Sequence, residues 1–251
     1  MDRQASSGGH GTLEIRDVTK VLEQNQIPCC VVGVSALMFY GVPRVRDKWE
    51  ICIPTEKVKE AVDILRKRNE YIQTNEKRIP QPMSLAHTYT WFRGNMLNFE
   101  FCLVPSTHAR IPVYRSVVCR SPNGVPYAPL EELVQSYLDT HDLVSLCDIV
   151  DGANLSYEWG QIHLNLNGTT DVEWAQQRNA ELMGGEGMFD PSLLGSVFPT
   201  AQVEKTSLWR KTTEDKKQRL EQMMVPQDLF ETRFMLKGSS PEPWREQRHS
   251  S

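Results

Sequence analysis

The stretch Gly33-Val34-Ser35-Ala36-Leu37-Met38-Phe39-Tyr40-Gly41-Val42-Pro43-Arg44, followed by Asp47-Lys48-Trp49-Glu50-Ile51-Cys52-Ile53, decides how this chain is read. Just before it, Cys29 to Val32 is a short apolar run rich in β-branched residues, the mark of a buried strand. Gly33-Val34-Ser35 then reads as a turn. Ala36 to Tyr40 reads as a short helix, stopped by Gly41 and Pro43. Trp49 to Ile53 alternates as a strand should. Trp49, Ile51 and Ile53 share one face, and Glu50 and Cys52 share the other.

The pattern extends in both directions. Ile15, Val18, Val21 and Leu22 space an amphipathic helix over Leu13 to Gln26, ended by Ile27-Pro28. Thr55 is placed to cap a helix over Glu56 to Arg68, with Val58, Val62, Ile64 and Leu65 as its buried stripe. His87 to Phe92 and Met96 to Val104, joined by Arg93-Gly94-Asn95, predict a hairpin in which Asn98, Glu100 and Cys102 share a face. Tyr114 to Cys119 predicts a strand, followed by a turn at Ser121-Pro122-Asn123-Gly124. Pro129 opens a helix with Glu131 and Glu132 in its first turn, where acids suit the dipole. A second helix spans about Asp142 to Val150. Further on, Glu173 to Met183 and the charged Lys205 to Met224 predict helices, with Gly184-Gly185-Glu186-Gly187 between them. The expected organisation is a disordered segment over 1–11, an α+β unit over 12–151, a mostly helical extension over 152–237 and a disordered tail over 238–251.

Composition narrows the function classes. At 39 % hydrophobic and 24 % charged residues the chain reads as an ordinary soluble globular protein. It has no run of about 18 apolar residues, so no membrane association is expected. Met1 to Gly11 lacks the apolar core of a secretory signal. The six cysteines sit inside apolar strands and helices without a C-x-x-C pair, which predicts reduced thiols in a cytoplasmic protein. A net charge of −4 argues against broad, non-specific nucleic-acid binding, and no DNA partner is expected. It leaves room for a local basic face that meets one RNA end. Arg66-Lys67-Arg68 with Lys77 and Arg78 is such a cluster, read either as a solvated helix end or as a contact to tRNA phosphates. Lys205, Arg210, Lys211, Lys216, Lys217 and Arg219 mix with Glu204, Glu214 and Asp215 as a charged helix face. His87, His108, His141 and His163 show no metal-ligand spacing, and Trp49, Trp91 and Trp159 read as core.

From about Leu13 to Asp151, the order of helix, strand, Gly/Ser turn, helix, acidic strand, helix and acid-bearing hairpin resembles the nucleotidyltransferase fold. Gly124 to Leu133, and His141-Asp142-Leu143 with Cys147-Asp148-Ile149-Val150, are similar to its later segments. The resemblance implies a mixed sheet flanked by helices. In active members, acids at i and i+2 of one strand and a third from a neighbouring strand hold two metal ions, because closely spaced Mg²⁺ ions need carboxylates converging on one cleft. Here Glu50 and Glu100 fill the second and third places, but the first falls on Lys48. Asp47 is one residue out of phase, which reverses its side-chain direction in a strand. No metal ligand and no cofactor is assigned. Gly33 and Ser35 read equally as a reduced phosphate-binding turn or a simple tight turn.

A narrower resemblance lies in the acidic motif after Pro43-Arg44, which is similar to that of fungal arginine-containing cyclodipeptide synthases. That family has paired Asp residues followed by a nearby Glu; this chain has Asp47 and Glu50, flanked by Arg46 and Lys48. The resemblance implies that arginyl-tRNA and a second aminoacyl-tRNA are the partners, and that their aminoacyl groups are joined into a cyclic dipeptide. Such esters are already activated, so the reaction needs a base for the α-amine, a pocket for the ester and acids for the guanidinium. Asp47, Glu50 and Glu100 are the candidates for these tasks. Ser35 is a candidate acyl carrier, as a Ser is in the bacterial cyclodipeptide synthases, or else a helix cap. Gly33, Arg44 and Lys48 are the expected substrate-binding residues. A metal-dependent nucleotidyltransferase and an inactive nucleotidyltransferase-like binding module are the alternatives.

Overall fold

The structure, a computed structural model, describes residues 3–219 apart from 43, 77, 115–117, 184–196 and 217. The chain begins with β1 (Arg3–Gln4), the short α1 (Ser6–Gly9) and α2 (Thr12–Gln24), whose Ile15, Val18 and Leu22 are buried as their spacing predicts. Then come β2 (Cys30–Val32), α3 (Gly33–Phe39), β3 (Trp49–Ile53), a 3₁₀ turn (Thr55–Lys57) and α4 (Val58–Arg66). β4 (Tyr71–Thr74), β5 (Thr90–Gly94), β6 (Leu97–Asn98), β7 (Glu100–Pro105) and α5 (Ser106–Ala109) follow. The remaining elements are β8 (Cys119–Arg120), β9 (Pro126–Tyr127), α6 (Leu130–Asp139), α7 (Leu143–Gly152), α8 (Tyr157–His163), α9 (Val172–Met183) and α10 (Lys205–Glu214).

Seven strands form one mixed sheet in the order β4-β5-β7-β3-β2-β9-β8. β3 runs parallel to β7 and antiparallel to β2, so the two acid-bearing strands lie side by side. The ladder sets Trp49 beside Phe101 and Glu50 beside Cys102. Alternation then puts Trp49, Ile51, Phe101 and Leu103 on one buried face and Glu50, Cys52, Glu100 and Cys102 on the other. This is the predicted α+β architecture, a mixed sheet flanked by helices. No helix among the described residues is long and apolar enough to cross a membrane.

Several expectations need correction. Residues 3–11 are built into the fold: β1 pairs in parallel with β6, and the Ser6 amide donates to Glu14 at 3.1 Å. Gly33-Val34-Ser35 is the first turn of α3, not a separate turn. Thr55 does not cap the helix that follows it; its hydroxyl accepts from the Thr107 amide at 3.1 Å, which ties the end of β3 to the first turn of α5. Tyr114 is an exposed residue outside any strand, and among the described residues of that predicted stretch Cys119 alone is in one. Gly184-Gly185-Glu186-Gly187, the end of the charged helix and the tail after Gly238 lie outside the described residues.

α10 is packed into the main core through Trp209. This side chain is fully buried in the main core, and its indole N–H donates to the Tyr157 carbonyl at 3.1 Å. Gly160 of α8 lets the ring approach; a Cβ there would come within 2.1 Å of the indole nitrogen. Replacing Trp209 by Ala removes a fully buried aromatic and leaves a cavity, which costs about 3–5 kcal/mol. The expected outcome is a melting temperature lower by on the order of 10 °C, read by thermal denaturation of Trp209→Ala.

Candidate functional site

Glu50 is the centre of the site. Its residue keeps some exposed surface, but its carboxyl group is deeply placed. The group accepts from the Val34 amide and presses against Gly33, where a Cβ would sit only 1.6 Å from Oε2. Gly33 also has φ +60°, a region that an L-residue enters at a cost. Glycine at this position is therefore required twice over, by backbone conformation and by the carboxylate. Burial pushes the Glu50 carboxyl up from its ordinary range; the Lys48 ammonium opposes this, and Asp47 adds to it.

Glu50 and Gly33 open onto a cavity of about 180 Å³ between the sheet, α6 and α9. Its walls include Tyr89, Tyr137, Asp142 and Trp174. The Tyr137 hydroxyl is buried without a hydrogen-bond partner among the described residues. Burial raises the Tyr89 and Tyr137 phenols well above their usual range, and the Glu50 charge contributes to both. His108 lies on the same lining; burial, helped by Arg178, pushes its imidazole down to about 4. Its Nε2 sits 3.2 Å from the Glu181 carboxylate, so near neutral pH the contact joins a neutral ring to a carboxylate.

A second, larger groove of about 450 Å³ lies at the starts of β3 and β7. Asp47, Lys48 and Glu100 line it, with Arg46 and His10. The Arg46 guanidinium stacks 3.6 Å over Trp49. Glu100 is paired with Arg78, whose guanidinium lies 3.5 Å over the Trp91 ring, and the Lys48 ammonium is 5.4 Å from the same ring. The structure thus brings Glu50 and Gly33 to one cavity and Asp47, Lys48 and Glu100 to another. Ser35 is buried in α3 with its hydroxyl unpartnered among the described residues, and it lines neither space. Arg44 pairs with Asp148 of α7 at 2.6 Å.

The three acids do not fit a two-metal centre. Position 48 carries an ammonium, and Glu100 is held by a guanidinium. Among the described residues no group of three His, Cys, Asp or Glu side chains is arranged to hold a metal ion. Several cavity residues gave little sign in the sequence. Tyr137 sits in the apolar stripe of α6 and reads as core, while Tyr89 belongs to a segment read as strand. Asp142 lies at the start of α7, where its side chain accepts from the Ser145 amide at 3.0 Å; only the Asp of His141-Asp142-Leu143 pointed to it.

No protein-family model matches the chain, and no curated protein matches it. Solved structures do. A solution structure of the antibiotic-resistance factor ANT(2'')-Ia has 14 % identity and a TM-score of 0.38, over 68 % of this chain and 93 % of that one. JHP933 from Helicobacter pylori has 10 % identity and a TM-score of 0.35, over 88 % and 98 %. Terminal uridylyl transferase 4 from Trypanosoma brucei with bound GTP has 12 % identity and a TM-score of 0.28, over 80 % and 62 %. At this depth the likeness transfers no residue role, substrate or activity to this chain.

Two outcomes test the site. Gly33→Ala forces a left-handed backbone on Ala, at about 1–2 kcal/mol, and drives its methyl into Glu50. The variant is expected to melt lower, and Glu50→Ser in the same chain should recover part of the loss. Glu50→Gln tests the charge. A raised carboxyl holds its proton in the native state where the unfolded chain has released it, so stability falls as pH rises from the unfolded value of 4.5 through the folded one. Glu50→Gln should therefore melt higher than the wild type at neutral pH, with the gap closing below pH 4.5.

Proposed function

We propose that this chain is a group-transfer enzyme acting on aminoacyl esters, joining the aminoacyl groups of arginyl-tRNA and a second aminoacyl-tRNA into a cyclic dipeptide. The observation that carries the reading is Glu50: a carboxylate raised by burial, held by a backbone amide and facing a cavity of about 180 Å³. A carboxylate raised in this way is a better proton acceptor near neutral pH. In this role Glu50 takes the proton from the attacking α-amine. The amine adds to the ester carbonyl, the C–O bond breaks, and the 3′-hydroxyl of the tRNA leaves with a proton. A second, intramolecular attack of the same kind closes the ring. Neither step consumes a nucleotide.

The cavity is of a size for one amino-acid side chain, and its polar groups suit a guanidinium. Tyr89 and Tyr137 offer ring faces, and Asp142 offers a carboxylate. The outer groove, with Arg46 and Lys48 on its wall, suits the anionic RNA end that delivers the ester. Asp47 tunes Glu50 through its charge, in keeping with the raised carboxyl.

The test is incubation with charged arginyl-tRNA and a second aminoacyl-tRNA, with mass spectrometry of the products. A cyclic dipeptide that disappears on RNase treatment is expected. Glu50→Gln should lower its rate by about 10²–10⁴-fold while the protein stays folded. Asp142→Asn, which still caps α7, should weaken use of arginyl-tRNA more than that of the second substrate. If no cyclic dipeptide forms, the reading fails. If one forms unchanged in Asp47→Ala and Glu50→Ala, the acids are not its machinery.

A further inference from the structure

Charges of both signs act on Cys102. Its thiol is fully buried on the acid-bearing face of the sheet. Burial pushes it well up; Glu50 and Glu100 push it further, and Lys48 and Arg78 oppose them. Two carboxylates and two cationic side chains therefore act on one buried thiol. Trp91, the ladder neighbour of Cys102 on β5, lies beneath both cations, with the Arg78 guanidinium 3.5 Å and the Lys48 ammonium 5.4 Å from its ring. The Trp91 indole N–H is itself anchored to the Ala86 carbonyl at 2.8 Å, which fixes the ring.

Lys48 precedes β3, two residues before Glu50, and the β3–β7 register continued by one step sets it beside Glu100. This is the position at which the resembling enzymes need the first carboxylate of the pair on this strand. An ammonium there cannot ligate a cation, and it repels one. Arg78 comes from the segment after β4 and engages Glu100 from the other side. Asp47 is a third acid beside them, and Arg46 and Arg93 are further cations on the groove wall, so the acids are balanced by the chain's own cations.

We propose that Lys48 and Arg78 are the resident cations of this sheet face: they stand where the nucleotidyltransferase-like enzymes hold divalent metals, and they leave Glu50 and Glu100 without affinity for such ions. The inference does not rest on the aminoacyl reading, because it concerns what neutralises the acids rather than what they act on. Lys48 is a positioning residue in this account. It sets the charge and orientation of Glu50 across the strand.

The experiment is Mn²⁺ titration of the full chain at neutral pH, followed by the loss of the free-ion electron paramagnetic resonance signal. The probe is Mn²⁺ alone, so the result is independent of any activity. Wild type is expected to show no saturable site in the millimolar range. Lys48→Asp restores the i, i+2 carboxylate pair and should bind one Mn²⁺ on the order of tenfold or more tightly than wild type. Adding Glu50→Gln to Lys48→Asp should abolish that gain. Lys48→Met removes the ammonium without adding a ligand and should fall between the two. This variant keeps the test open if Lys48→Asp does not fold. Saturable Mn²⁺ binding by the wild type that Glu50→Gln removes would overturn the proposal. So would folded Lys48→Asp or Lys48→Met proteins that bind no better than wild type.

Discussion

The contact between the Glu50 carboxylate and the backbone of Gly33 is the constraint on which the rest of the site depends. It joins the start of α3 to β3 across the β2–β3 pair, where Val32 and Glu50 are ladder partners. Any side chain at position 33 would occupy the space of the carboxylate oxygen. The Val34 amide, one residue further on, then has an acceptor at the point where a helix leaves its first amide groups unpaired. Strand pairing, helix start and acid placement are thus one arrangement. Burial raises the proton affinity of that acid, and the cavity beside it gives the raised carboxylate something to act upon.

Much of this was legible in the sequence, and the reasons differ by element. The Trp49–Ile53 alternation was readable because one face is core and the other carries Glu50. The α6 stripe was readable because Pro129 and the paired acids mark its start. β4 was missed because Tyr71-Ile72-Gln73-Thr74 is a sheet edge with no fully buried residue, so it carries no clean period of two. α8 was missed although Ser156 caps it, its side chain accepting from the Trp159 amide at 3.2 Å; the helix is short and only Gly160 in it is buried.

The site was legible in its parts and hidden in its grouping. Asp47, Glu50 and Glu100 stand out in the sequence, but proximity in number does not decide which space a side chain enters. Glu50 lines one space and Asp47 and Glu100 another, although Glu50 and Glu100 share a face of the sheet; Asp47 lies in the bend before β3. Arg78 is the clearest case of what one dimension conceals. It reads as part of a basic cluster with Arg66-Lys67-Arg68, yet it lies on Trp91 and pairs with Glu100. Arg66 instead stays at its helix end, with Asp63 and Gln73 as its partners. Only the fold distinguishes a solvated cation from one placed against an acid of the sheet.

The His10 carbonyl accepts from two side chains at once, the Trp49 indole at 2.8 Å and the Arg46 guanidinium at 3.2 Å. Gly9 and His10 are also part of the wall of the outer groove. The polar leading residues, which composition alone would mark for trimming, are therefore masonry. A shortened chain that starts at α2 would keep the sheet and its acids, but it would open one side of the groove and free the Arg46 and Trp49 side chains that shape its floor.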